Sequence, residues 1–148
     1  AFFAIHGTYY RNGANPQQVS CIQKAGIKKQ FRINQKDYER ISDHIGLFPC
    51  VMVSPYDRDL INEGSDIRRK FIDAVISQFD KLYLENLIRY NRLLEQRNSL
   101  LKQFAERRRT DREMLLLIDE QMMAPATNIS DKRKAFLEGF LPIFSHYF

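Results

Sequence analysis

The feature that most constrains this chain is a mainly apolar stripe, with members three or four residues apart, across residues 83–104. Such spacing is typical of a helix that packs one face against another helix. A helix over residues 81–108 would be about 42 Å long at 1.5 Å per residue, which exceeds the depth of a small domain. We therefore expect it to project as an arm. The stripe comprises Tyr83, Leu87, Tyr90, Leu94, Arg97, Leu101 and Phe104.

The arm needs a second helix to cover its stripe, because an isolated helix is marginal in water. Residues 111–147 are predicted to supply it, after a turn at residues 107–111. Pro125 falls inside this returning helix and predicts a kink there or a short break. If the helix breaks, Ser130 or Asp131 would cap its continuation. The apolar positions that favour the pairing are Leu115, Ile118, Met122, Phe136, Phe140 and Phe144.

Arg97 interrupts the stripe, and its charge must find acceptors because an unpaired buried charge is very costly. We expect a structural network between the arm helices, or against the rest of the chain, more than a ligand site.

The first half of the chain has the two-residue period of β-strands. The runs "FFAIHGTYY", "QQVSCIQKA" and "IKKQFRIN" alternate in this way. Ala25-Gly26 predicts a hairpin turn, and residues 34–36 a second one. "DYERISDHIG" predicts a short irregular or helical piece that ends at Gly46, and the apolar run "CVMV" a buried central strand.

The predicted fold class is therefore α+β, with a β-rich part over residues 1–64 and a helical part over residues 65–148. The helices are predicted near residues 66–78, 81–108 and 111–147.

The junction "SPYDRDLINEGSDIRRKFID" joins the two halves. Ser54 is a helix cap, Asp57 suits the positive end of the helix dipole, and Gly64 is a typical helix stop. These signals predict a strand-helix-helix corner, in which Arg69 pairs with Asp73 four residues on. The same geometry offers backbone N–H groups to an anion, and Arg68 beside Arg69 would add donors suited to phosphate.

Composition narrows the class of protein without naming a function. The net charge of +5 over 148 residues is compatible with an anionic partner but does not single one out. No apolar run is long enough to span a membrane. Cys21 and Cys50 are interpreted as reduced, buried thiols of a cytoplasmic protein, and the three histidines are too scattered to predict a metal site.

The residues from Val51 to Lys102 resemble the middle of the RecF family of bacterial DNA replication and repair proteins. The departures are Tyr56, where the family usually has an acidic residue, and Pro125, in a helix that is usually proline-free. "IDEQMM" also resembles the family's returning arm helix. The matching residues are Ser54, Pro55, Asp57, Leu60, Ile61, Gly64, Ser65, Arg68, Arg69, Phe71, Ile72, Asp73, Tyr83, Leu84, Tyr90, Gln96, Arg97, Asn98, Leu100, Leu101 and Lys102.

The resemblance implies a partial β-sheet of an ABC-type ATPase head lobe, followed by a projecting antiparallel helical arm. It implies a recombination mediator that binds DNA at single-strand gaps and duplex junctions and helps to load recombinase in DNA replication, DNA repair and the SOS response. Its partners would be RecO and RecR, its cofactors ATP and Mg, and its active form an ATP-dependent homodimer.

The motifs that would bind and hydrolyse ATP are not in this sequence. A phosphate-binding loop needs G-x-x-x-x-G-K-[ST], and no glycine here precedes a lysine. The ABC signature and the Walker B carboxylates are also lacking. In the family these motifs lie upstream and downstream, so we expect an internal piece of an ATPase that binds no cofactor and is not catalytic by itself.

Two groups of candidate site residues follow. The loop after the lobe's strands senses the γ-phosphate and metal in ABC heads, so the resemblance places Ser54 and Asp57 near a nucleotide. Arg68 and Arg69 are predicted either to contact a phosphate there or to bridge the lobe and the arm. The basic arm tip predicts a contact with DNA or a partner, or else a solvated helix end; its members are Lys102, Arg107, Arg108, Arg109 and Arg112. The alternative for the whole chain is a non-catalytic structural helical hairpin that serves as an interaction module.

Overall fold

The computed structural model describes residues 2–10, 13–107 and 110–147. Contacts divide the chain into two compact units, Ala1–Cys50 and Val51–Phe148. The first holds a four-stranded antiparallel sheet and the second is helical, so the α+β class is confirmed. This division falls earlier than the one drawn from the sequence after residue 64. The assignment of the two parts to a head lobe and an arm stays a prediction.

The sheet is a simple meander whose strands lie in chain order. β1 spans Phe2–Tyr9, β2 Gln17–Lys24, β3 Gln30–Ile33 and β4 Lys36–Asp37. The longest pairing runs in antiparallel register over the whole length of β1 and β2. β1 forms the edge of this sheet.

Backbone with positive φ makes both predicted turns. Gly26 has φ +77°, and the N–H of Ile27 donates to the carbonyl of Lys24 at 3.1 Å. Asn34 and Gln35 have φ values of 47° and 69° and join β3 to β4. Two successive residues of positive φ give the tight twist that a two-residue hairpin needs. Both predicted turns are confirmed.

One face of the sheet carries a small core. Val19 is buried and faces Ile33, its partner across the β2–β3 ladder. A 3₁₀ helix at Ile41–His44 contributes the His44 ring, 5.3 Å from the ring centre of Phe31. Burial lowers the pKa of His44. "DYERISDHIG" therefore contains the short helical piece that its sequence predicts.

The predicted buried strand at residues 50–53 is wrong. These residues have no strand structure, and Val51, Met52 and Val53 are 94%, 82% and 86% exposed. An apolar run is buried only where another strand or layer covers it, and the described residues provide none here. Cys50 is likewise exposed rather than buried, whereas Cys21 is partly buried; both are free thiols.

The second unit opens with the predicted corner and continues as three longer helices. A 3₁₀ helix at Pro55–Arg58 leads into α1 at Asp59–Asn62. α2 then spans Ser65–Ser77, α3 Lys81–Arg107 and α4 Arg112–Tyr147. No helix in the described part of the chain is long and apolar enough to cross a membrane.

α3 and α4 form an antiparallel pair, which is called the arm below. Its tip is the end at Arg107 and Arg112, and its base is the end where α3 begins at Lys81. Asn86, near the start of α3, donates to Asn128 at 3.2 Å, and Arg97, further along α3, contacts Asp119, earlier in α4. α2 closes one end of this pair. The core there consists of Ile76, Tyr83 and Ile129, with Ile72, Leu87, Tyr90 and Phe136 packed around it.

The stripe on α3 is displaced by one residue at two of its predicted positions. Leu93 and Leu100 are buried, whereas the predicted Leu94 is only partly buried and Leu101 is 38% exposed. Tyr83, Tyr90, Arg97 and Phe104 repeat every seven residues, and Leu93 and Leu100 fall three after the second and third of them. This alternation of three and four is the seam of two packed helices. Leu93 and Leu94 are adjacent, as are Leu100 and Leu101, so the spacing alone does not decide which leucine of each pair is buried.

Pro125 does not break α4, which is helical from Arg112 to Tyr147. Its ring is among the most deeply buried side chains in the described residues. Proline removes one backbone hydrogen bond from a helix interior, and burial of the ring offsets part of that loss. The predicted break is therefore wrong, and the kink stays a prediction.

Candidate functional sites at the corner and along the arm

The corner begins with a local contact between Ser54 and Asp57. The backbone N–H of Ser54 donates to the Asp57 carboxylate at 2.7 Å, and the Ser54 hydroxyl donates to its other oxygen at 3.4 Å. Pro55 occupies the first helical position, where its missing N–H costs nothing. These two predicted nucleotide-proximal side chains are therefore brought together, and each is engaged with the other.

Arg68 and Arg69 hold the same corner onto α2. The Arg68 guanidinium donates to the carbonyls of Leu60 and Glu63 at 3.1 and 3.0 Å, at the end of α1. Arg69 donates to the Ser65 hydroxyl at 3.0 Å and also pairs with Asp66. The predicted Arg69–Asp73 pair is wrong, because Asp66, one turn earlier, is the carboxylate within reach.

All four predicted nucleotide-proximal side chains make contacts with neighbouring residues. Each already has a partner within the corner, and the sequence offers no phosphate-binding loop beside them. No group of three metal-ligating side chains occurs among the residues that the structure describes. A nucleotide-proximal role for Ser54, Asp57, Arg68 and Arg69 stays a prediction, and it would require groups from elsewhere.

Asp73 is instead the centre of a network at the base of the arm. Arg133 of α4 donates two hydrogen bonds to its carboxylate, at 2.8 and 2.7 Å, and the hydroxyl of Tyr83 in α3 donates a third at 2.5 Å. Tyr83 is fully buried. Burial, with help from the bond to Asp73, raises the pKa of Tyr83 to about 12. The bond to Asp73 also raises the pKa of Arg133.

A second ion pair lies beside the first. Lys132, the residue before Arg133, donates to Asp80 at 2.7 Å. The other oxygen of Asp80 accepts the backbone N–H of Tyr83 at 2.9 Å, so Asp80 caps the start of α3. The hydrogen bond from Lys132 and then that from Tyr83 lower the pKa of Asp80. Lys132 and Arg133 of α4 therefore form ion pairs with Asp80, directly before α3, and with Asp73, in α2.

Further along the arm, Arg97 donates to Asp119 at 2.6 and 3.5 Å. The bond to Asp119 raises the pKa of Arg97. The structural network that the sequence predicted for Arg97 is confirmed, and it lies between the two arm helices.

An open groove of about 640 Å³ runs along the arm base. Leu87 and Tyr90 of α3 and Ile129 of α4 supply apolar walls, and Asp73 and Arg133 lie at its edge. These two charged groups are paired with each other, so the groove does not present them as a free ligand site.

The described basic residues of the tip are exposed. Lys102 and Arg107 lie on the last turns of α3, and Arg112 is the first residue of α4. Asp111 caps α4 by accepting the N–H of Met114 at 3.0 Å. Arg108 and Arg109 lie outside the described residues. The structure thus brings three of the five predicted tip residues to one end of the helix pair.

The network around Asp73 was missed from the sequence. Asp73 and Arg133 are 60 residues apart, and only the antiparallel return of α4 brings them together. The one available signal was that a charged residue, Asp73, falls between the partly buried Ile72 and the buried Ile76 of α2.

Comparison with known proteins finds relatives of this chain. No protein-family model matches the chain. It is 52% identical over 149 residues to the DNA replication and repair protein RecF of Bacteroides thetaiotaomicron, which covers 99% of the chain and 39% of that relative. It is 47% identical over 144 residues to the RecF of Flavobacterium johnsoniae, with 97% and 40% covered. The chain thus spans about two fifths of the length of these relatives.

Solved structures of RecF are similar to this chain in fold as well. Two structures of the recombination mediator protein RecF in the RecFOR pathway, designated RecF-ATPrS and RecF-ATP, superpose with TM-scores of 0.84 and 0.85 at 31% identity. Each match covers 93% of this chain and little more than a third of the solved one, 37% and 36%. The chain is therefore similar, in sequence and in fold, to about two fifths of these RecF proteins.

Proposed function

We propose that this chain is the part of a RecF-like recombination mediator that joins a piece of the ATPase head to its helical arm. The whole protein would bind DNA at single-strand gaps and duplex junctions and help to load recombinase in DNA replication, DNA repair and the SOS response. The observation that carries this proposal is the 52% identity to a named DNA replication and repair protein along nearly the whole chain.

The whole protein is proposed to bind ATP and Mg, to dimerise with ATP, and to work with RecO and RecR in the cytoplasm. The designations RecF-ATP and RecF-ATPrS of the solved relatives support the binding of ATP, and their place in the RecFOR pathway supports partners in recombination mediation. The sequence of this chain contains no phosphate-binding loop motif. Hydrolysis would therefore depend on segments outside it, and the chain alone would not be catalytic.

The part played by this chain is proposed to be DNA contact by the arm tip. Lys102, Arg107 and Arg112 are exposed at the far end of a helix pair about 40 Å long. Lysine and arginine side chains that contact phosphates release counterions, so the affinity for DNA should fall steeply with salt. The basic side chains have no exposed aromatic neighbour for base stacking in the described tip, which favours contact with the backbone.

A salt titration tests the tip. The full-length protein that contains this chain is compared with a triple variant in which Lys102, Arg107 and Arg112 are each replaced by Gln. Binding to a fluorescein-labelled gapped duplex is followed by fluorescence anisotropy from low to physiological salt. Each phosphate contact that is lost should flatten the plot of log K against log [salt] by roughly 0.9. We expect weaker binding at low salt and a slope that is smaller by about two to three.

A matched control comes from the same helix. Lys81, Arg89 and Arg92 are also exposed on α3 but lie nearer its start. Replacing these three by Gln removes the same charge and the same residue types. Equal weakening by both triple variants would show that net charge matters and the tip does not.

The alternative of a structural interaction module has one observation in its favour. Met114, Leu116 and Leu117, close to Arg112, are 49%, 59% and 59% exposed. Exposed apolar side chains in a group are typical of protein-contact surfaces. Unchanged DNA binding by the tip variant would favour this module, with a protein partner on α4.

A further inference from the structure

Asp73 of α2 makes the side-chain hydrogen bonds that join α2 to the arm in the described residues. Its side chain is only 14% exposed and accepts from both Arg133 and Tyr83, which come from the two different arm helices. The N-terminal end of α2 is held to the corner by Arg68. One carboxylate thus ties the base of both arm helices to the element that carries the corner.

A small tilt at this base becomes a large movement at the tip. From Tyr83 to Arg107 α3 rises about 36 Å, so a tilt of about 10° displaces the tip by about 6 Å. A charge-assisted hydrogen bond to phosphate needs a separation of about 2.7–2.9 Å. An arm that wobbles at its base therefore has to be immobilised when DNA binds, and this ordering costs free energy.

We propose that the Asp73–Arg133 ion pair is a positioning element for DNA binding, which orients the arm so that its basic tip meets the phosphates without further ordering. The proposal rests on the proposed function above and deepens it. Neither residue touches DNA. They act through the orientation of α3 and α4.

The decisive variant is Asp73→Asn in the full-length protein, because its two possible effects have opposite signs. Removal of a negative charge makes the protein more cationic, which by itself should strengthen binding to DNA. Loss of the positioning element should weaken it. Since the phosphate contacts remain available, the salt slope should stay that of the wild type. We expect affinity for the gapped duplex to fall roughly three- to tenfold at every salt concentration.

Asp119→Asn is the matched control. It removes the same charge with the same replacement and also breaks an arginine–aspartate pair of the arm, with Arg97. Among the described residues, that pair joins α3 to α4 and forms no hydrogen bond or ion pair with α2. We expect the affinity of this variant to equal or exceed that of the wild type.

A milder variant keeps the test decisive if Asp73→Asn disturbs folding. Arg133→Lys keeps the charge but replaces the two-bond fork by a single ammonium. It should weaken binding less than Asp73→Asn, again with an unchanged slope. Thermal unfolding followed by circular dichroism sets the assay temperature at which all variants remain folded.

The outcomes separate the two proposals. If the wild type does not bind the duplex, or the tip variant binds as tightly as the wild type, the proposed function fails. If the tip matters but Asp73→Asn and Arg133→Lys bind like Asp119→Asn, the positioning role alone is overturned. It is also overturned if Asp73→Asn flattens the salt slope as the tip variant does.

Discussion

Tyr83 offers the sharpest test of how the base of the arm is stabilised. Its ring is fully buried in the core with Ile76 and Ile129, and its hydroxyl donates to the carboxylate of Asp73 at 2.5 Å. Tyr83→Phe removes this hydroxyl and keeps the ring. The variant therefore isolates the polar contribution from the packing.

The expected loss follows from the state of the partner. A hydrogen bond to a charged group contributes about 1.5–3 kcal/mol, and the cost is largest when a buried partner is left unsatisfied. Asp73 would keep both bonds from Arg133. We therefore expect the lower part of this range, a fall of about 1.5–2 kcal/mol in the free energy of unfolding.

Urea unfolding of the chain, followed by circular dichroism at pH 7, measures this change. Tyr90→Phe is the control, because Tyr90 lies on the same helix at the groove and its hydroxyl has no hydrogen bond within the described residues. It should change stability by less than about 0.5 kcal/mol.

The difference between wild type and Tyr83→Phe should also depend on pH. The pKa of Tyr83 is raised from 10.0 to about 12 in the folded chain. The unfolded chain therefore loses this proton first as the pH rises. The advantage of the wild type should be complete below pH 10.0 and disappear as the pH approaches about 12. A variant as stable as the wild type at pH 7, or a difference that grows above pH 10, would refute the reasoning.

Three further predictions concern the seam, a helix cap and a turn. Leu93→Ala should cost about 2–4 kcal/mol in urea unfolding and Leu94→Ala clearly less, because only Leu93 is buried; equal losses would contradict the seam. Asp80→Ala should cost about 0.5–2 kcal/mol at pH 7 by loss of the cap. Because Lys132 lowers the pKa of Asp80, this contribution should vanish as the pH falls below 3.8; persistence in acid would contradict it. Gln35→Gly should raise the melting temperature, since Gln35 has φ 69° and glycine relieves about 1 kcal/mol of strain there.

Local signals were sufficient for the fold class. Positive φ at Gly26 and the two-residue turn at residues 34–35 depend on residues adjacent in sequence. The helical period likewise depends on neighbours three and four apart, and α3 at Lys81–Arg107 lies where that period predicts a helix. Such features need no knowledge of what the chain packs against.

Features that depend on distant partners were not predictable in the same way. Residues 50–53 have the composition of a buried strand, but whether they are buried depends on what covers them. The choice between Leu93 and Leu94 depends on the rotation of α3 against α4. For the site, the sequence identified the basic tip and the corner, but it assigned Asp73 to Arg69 because those two are four apart. The actual partner, Arg133, is 60 residues away.

The ion pairs in the described part of the arm lie at its base and in its middle. Three cations of the base and middle are neutralised by carboxylates, in the pairs Lys132–Asp80, Arg133–Asp73 and Arg97–Asp119. Other cations of this part, such as Arg89 and Arg92, are exposed. At the tip, Lys102, Arg107 and Arg112 are exposed and form no such pair among the described residues. An anionic polymer is attracted most strongly where cations are not already compensated. Pairing at the base therefore fixes the orientation of the arm. The exposed cations at the tip, like those nearer the start of α3, stay available to phosphate, and the two triple variants distinguish between these groups.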